Sequence, residues 1–64
     1  MEPPTVRTSA RDEERNITFH VMAYRQLSEA ELIRAIRYFR STKQGRRLRK
    51  NSTYTIISLI GLRD

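Results

Sequence analysis

Ser28-Glu29-Ala30-Glu31 constrains this chain more than any other stretch, because it sets where a helix starts and which side of it must be buried. A serine followed three residues later by glutamate spells a capping box. The serine oxygen accepts from the amide at the third helical position, and the glutamate carboxylate reaches back to the cap's own amide. Leu27 and Leu32 flank the box at the two positions that form a hydrophobic staple. Beyond them Leu32, Ala35, Ile36 and Phe39 recur at steps of three and four, which makes one apolar stripe. Glu31, Arg34 and Arg37 fall on the other side. The pattern predicts an amphipathic helix running from residue 29 to near Gln44. Gly45 is expected as its left-handed C′ residue.

A helix with one apolar stripe needs a surface to cover, and two segments offer it. Residues 17–24 alternate, with Ile17, Phe19, Val21 and Ala23 on one side and Thr18, His20, Met22 and Tyr24 on the other. β-branched and aromatic residues at period two predict a strand with one buried face. Arg25 and Gln26 leave only a short loop before the cap, so the helix must fold back along that strand. Residues 53–62 predict a second strand, ended by Gly61. Its faces are Tyr54, Ile56, Ser58 and Ile60 against Thr53, Thr55, Ile57 and Leu59, and both are substantially apolar. A strand apolar on both sides is normally covered on both. One helix covers only one. The uncovered face therefore asks for a partner, and a homodimer is expected, with His20, Met22, Tyr24, Ile57 and Leu59 as candidate interface residues.

Residues 1–15 hold both prolines, few large apolar groups and the mixed run Arg11-Asp12-Glu13-Glu14-Arg15. Such a segment buries too little surface to offset its ordering entropy, so a disordered or weakly ordered tail is expected. Residues 6–10 could instead pair as a short edge strand, with the charged run as the turn. The expected architecture is α+β: a single β-α-β domain over residues 16–64, one helix packed on a small sheet. A standard crossover would make the strands parallel, but the long connection after the helix leaves antiparallel pairing open. The core face of the second strand is equally open.

That connection carries the charge. The chain has a formal net charge of +6, and Lys43, Arg46, Arg47, Arg49 and Lys50 lie together between residues 41 and 52 with no acid among them. Guanidinium donors form a planar fork that matches phosphate bidentately. The loop at residues 43–50, with Arg40 behind it, is the candidate nucleic-acid-binding site, for RNA or DNA. A solvated, solubilising loop is the plain alternative. A second functional alternative is a protein-interaction module whose basic loop meets an acidic partner and whose exposed strand pairs with that partner's sheet. His20, Met22 and Tyr24 could also stack bases on an open sheet, although a dimer contact explains them as well.

Enzymatic chemistry is not expected. His20 is the sole histidine, and the acids at Glu29 and Glu31 are accounted for as first-turn residues. Two glycines, Gly45 and Gly61, make no phosphate-cradling loop. With no cysteine and one histidine, neither a metal centre nor another cofactor is expected, and no disulfide can staple so short a chain. No apolar run is long enough to span a bilayer, and Met1-Glu2-Pro3-Pro4 lacks the basic and apolar parts of a secretory signal. A cytoplasmic location is expected. Asn16-Ile17-Thr18 and Asn51-Ser52-Thr53 match the glycosylation triplet, but in that setting both read as coincidence.

Overall fold

A computed structural model describes residues 2–62. Its elements run β1 (Val6–Asp12), β2 (Ile17–Ala23), α1 (Glu29–Ser41), a 3₁₀ turn (Gly45–Arg47) and β3 (Thr53–Ile57). The three strands form one sheet in the order β1-β2-β3, with α1 on one side. The protein is therefore a small α+β domain, and its element order is β-β-α-β instead of the expected β-α-β.

The extra strand corrects the expectation of a loose tail over residues 1–15. Val6–Asp12 pairs antiparallel with the whole of β2, from Val6 opposite Ala23 to Asp12 opposite Ile17. Its own apolar content is small, and only Ala10 packs against the main core. What holds it is the backbone ladder, which side-chain hydrophobicity does not report. The charged run supplies the turn: the Asp12 carboxylate accepts from the amides of Glu14 (3.1 Å) and Arg15 (3.3 Å), and Asn16 takes a left-handed φ of 54°. Asparagine tolerates that conformation better than most residues.

β2 is the centre of the molecule. Ile17, Phe19, Val21 and Ala23 are buried beneath α1, while Thr18, His20 and Met22 are half-buried on the open side. β3 lies parallel to β2, with Thr18 opposite Thr53 and Met22 opposite Ile57. Tyr54 and Ile56 turn toward the helix and pack on the core, and Thr53, Thr55 and Ile57 turn away. Strand direction and core face, both undetermined by the sequence, are settled by this register.

The helix starts where its residues say. Ser28 Oγ accepts from the Glu31 amide at 3.2 Å, and Glu31 Oε1 accepts from the Ser28 amide at 2.9 Å. Leu27 and Leu32 are both buried and share one core cluster with Val21 and Ala23. Arg25 clamps the same carboxylate with both terminal nitrogens. That guanidinium first, and then the Ser28 amide, hold the Glu31 carboxyl down at about 2. The same pair raises the pKa of Arg25.

The far end of the helix departs from expectation. α1 stops at Ser41, and Thr42 is extended (φ −77°, ψ 163°), its amide and hydroxyl both donating to Phe39 O. Gly45 is not left-handed. It opens the 3₁₀ turn, and a Cβ there would lie 1.9 Å from Phe39 O and 2.6 Å from Arg40 Cα. Glycine is required for close backbone approach, so the chain can fold back against the last helical turn. Under this end Phe19, Phe39 and Tyr54 form an aromatic triangle with ring centroids 6.0–6.4 Å apart. Such pairs add about 0.5–1.5 kcal/mol beyond their buried area.

Candidate nucleic-acid interface at the basic end of the sheet

The connection from α1 to β3 is pinned along its length. Gly45 N donates to Thr42 Oγ1 (3.1 Å), and Arg46 N to Thr42 O (3.1 Å). Leu48, the loop's one apolar residue, packs on the Ile17, Phe19 and Phe39 cluster. Directly after it the Arg49 amide donates to the Tyr54 hydroxyl at 2.9 Å. Asn51, left-handed at φ 60°, donates its amide to Arg15 O (3.1 Å) and accepts on its side chain from Asn16 Nδ2 (2.9 Å). Ser52 O then accepts from Thr18 N, starting the β2–β3 ladder. Two left-handed asparagines thus tie the β1–β2 turn to the basic loop, which gives both glycosylation-like triplets a structural role.

On this frame Lys43, Arg46, Arg47, Arg49 and Lys50 are exposed, as is Arg40 at the end of α1. Among the described residues the one ion pair is Arg25–Glu31, at the first turn of α1. The six cations therefore have no carboxylate partner within the described fold. A loop held by Leu48, Tyr54 and Asn51 presents its guanidinium groups with part of the ordering entropy already spent.

The structure also brings cations that the sequence reading set aside with the tail. Arg15 lies against Asn51 through its carbonyl, and Arg11 donates to the side chain of Asn16. Arg7 and Arg11 face outward on β1, opposite Met22 and Thr18 on the open sheet surface. The signal for them was present in Val6-Arg7-Thr8-Ser9-Ala10-Arg11, an inside–outside alternation of weakly apolar and polar residues. Glu13 and Glu14 occupy the same turn and are exposed, so this end is not uniformly positive.

Of the candidate interface residues, His20, Met22 and Ile57 share the open side of the sheet, and Leu59 lies just after β3. His20 stands between Ser9 and Thr55 in the register, and Met22 between Arg7 and Ile57. Tyr24 is half-buried just beyond β2, its amide bonded to Ile60 O. Ile57 and Leu59 are exposed. Ser9 Oγ lies 2.6 Å from His20 Nδ1, within the reach a nucleophile and base would need. The register surrounds that pair with Arg7, Arg11, Thr18, Met22 and Thr55, none of them a carboxylate that could orient the ring. Hydrogen bonding between two surface side chains accounts for it.

Among the described residues no helix is long and apolar enough to cross a membrane, and no three acids or histidines gather as metal ligands. No family model matches this chain, and no curated protein or solved structure shows significant similarity to it.

Proposed function

We propose that this chain is a small, non-enzymatic nucleic-acid-binding protein that grips phosphates with Lys43, Arg46, Arg47, Arg49 and Lys50, with Arg40 behind them. One observation carries the reading: the loop bearing most of these cations is pinned to the core by Leu48 and Tyr54, and none of them forms an ion pair with a carboxylate among the described residues. Contacts of this kind position a protein on a nucleic-acid backbone without reading bases, so affinity should vary little with sequence.

Titration with single-stranded RNA and duplex DNA across a salt series tests it. If Lys43, Arg46, Arg47, Arg49 and Lys50 all reach phosphates, log K should fall with log salt at a slope of about −3.5 for single strands and about −4.5 for duplex. Replacing Arg46 and Arg47 by alanine should flatten that slope by about 1.4 to 1.8. Absence of binding to either polymer at low salt would remove the proposal. It would leave the alternative in which the same loop meets an acidic protein.

A homodimer through His20, Met22 and Tyr24 on the open sheet face, reaching Ile57 and Leu59 at its border, is compatible with either reading; it joins open faces and leaves the backbone edge of β3 unpaired. The exposure of Ile57 and Leu59 beside an uncovered sheet face supports it. A monomer throughout the micromolar range in sedimentation equilibrium would exclude it. A chain without cysteine suits a reducing cytoplasm, which is the location we propose.

A further inference from the structure

Away from the basic loop, β3 leaves one edge unpaired. The strand order β1-β2-β3 gives β3 a neighbour on one side only. Ser52 accepts from Thr18 and Ser58 donates to Met22, so the even-numbered residues between them direct their backbone groups at β2. By alternation Thr53, Thr55 and Ile57 point their amides and carbonyls outward. Beside the C-terminal end of this edge lies an apolar groove of about 430 Å³ between the flank of α1 and residues 56–60. Arg34, Ala35 and Tyr38 form its helical wall, and Ile57 at the end of β3, together with Leu59 and Ile60 in the segment just after it, forms the other. Tyr38, Ile57 and Leu59 are 75%, 63% and 68% exposed, three of the four large apolar side chains that the described fold leaves in water. An open strand edge beside apolar surface is the arrangement that extended peptides use when they add a strand to a sheet.

Two observations select the occupant. Arg34 is the sole charged residue of the groove and has no carboxylate partner among the described residues. A chain of net charge +6 would bring a second unpaired arginine and a second positive field to that seam. Geometry opposes a second copy as well. α1 packs against all three strands, with β2 in the middle of the sheet beneath it. Edge-to-edge pairing of two β3 strands would separate the two helices by three strand spacings, about 14 Å. That exceeds the separation of about 8–10 Å at which helices pack, and the groove would stay partly unfilled. A single added strand places its own side chains in that space.

We infer that the β3 edge and the α1 groove form a docking site for an extended segment of a partner protein, with apolar side chains at alternate positions and a carboxylate facing Arg34. The partner strand pairs with Thr53, Thr55 and Ile57. Its inward side chains lie against Ala35, Tyr38 and Ile60. This site is independent of the nucleic-acid reading and uses none of its cations.

The probe is a labelled peptide reading glutamate, threonine, valine, threonine, valine, threonine, glutamate. Its palindromic order presents a carboxylate on the groove side in either strand direction. A control carries lysine for both glutamates. Anisotropy titrations and amide chemical-shift mapping follow both peptides on the intact chain. The acidic peptide should bind, shift the amides of Thr53, Thr55 and Ile57, and protect them from hydrogen exchange. Arg34→Glu, on an exposed helical position, should weaken it about tenfold and favour the lysine control, because reversal turns an attraction into a repulsion. Leu59→Asp should weaken both peptides. Equal affinity for the two peptides, or indifference to Arg34→Glu, overturns the inference. So do shifts confined to residues 46–50, which would mean a general attraction to the basic loop. Protection of the β3 edge in the free protein, together with a dimer in sedimentation, overturns it in favour of a second copy. Nucleic-acid binding is measured separately on the same variants and should keep its salt slope, since none of the cations that reach phosphates is removed.

Discussion

The two faces of β2 come from one alternating run of residues and end in different surroundings. Ile17, Val21 and Ala23 are wholly out of water, whereas Thr18, His20 and Met22, one position away in each case, are only half-buried. The ladders to β1 and β3 serve both faces equally. The difference is α1, which lies on one side, with Leu32 and Phe39 pressed onto the sheet. A face is a core face because something covers it, and its side chains then supply stability by burial. The other face keeps groups available for contact: Arg7, Arg11, His20 and Met22, with Ile57 at the corner toward the groove.

Substitutions on the two faces should therefore behave unequally. Phe19→Ala removes one ring of the aromatic triangle and should cost about 3–5 kcal/mol, while Met22→Ala should cost about 1 kcal/mol or less. Chemical denaturation of both variants checks this, and equal losses would mean that the open face is covered in solution. Neighbouring isoleucines of β3 sharpen the point. Ile56→Ala, which thins both core clusters, should cost about 2 kcal/mol, against about 0.5 kcal/mol for Ile57→Ala. A large loss at Ile57 that depends on protein concentration would reveal the dimer, since association then contributes to apparent stability.

Smaller effects test the element that creates the inequality. Ser28→Ala removes half of the capping box and should cost about 1 kcal/mol in thermal or denaturant unfolding. Combined with Met22→Ala, the two losses should add, since the helix start and the open face share no partner. The slightest effect is that of acid. The Glu31 carboxyl is held down to about 2 from an ordinary value of 4.5, so its contribution is complete above about pH 4.5 and disappears as pH falls toward 2. Denaturation midpoints should decline through that window, and the Glu31→Gln variant should decline less.

Much of α1 and β2 was legible in the residues themselves. A capping box, a staple and a stripe all concern groups within a few positions of one another, and the physics that joins them acts locally. The position of Ser28 and the buried side of β2 followed from that. The candidate site was legible as composition: the cations of residues 43–50 stand together in the chain and remain exposed in the fold. What anchors them was not legible. Leu48 gave no hint that it meets Phe19 and Phe39, nor Arg49 that its amide meets Tyr54.

The remaining features depend on partners far along the chain, and tertiary structure alone decided them. Val6–Asp12 is a strand because β2 offers it a ladder; its alternation allowed an edge strand, but its weak apolarity could not select that over a loose tail. Gly45 reads locally as a left-handed helix stop. Its actual constraint is the approach of the backbone to Phe39 O, set by a turn that folds back on α1. Tyr54 and Ile56 prevail over Thr55 and Ile57 as the core side of β3 because the parallel register with β2 turns them toward the helix. Near neighbours are joined by torsions and short hydrogen bonds that the order of residues specifies directly. Strand pairing, face and groove are set by segments meeting across the molecule, where many arrangements satisfy the same local pattern and packing selects among them.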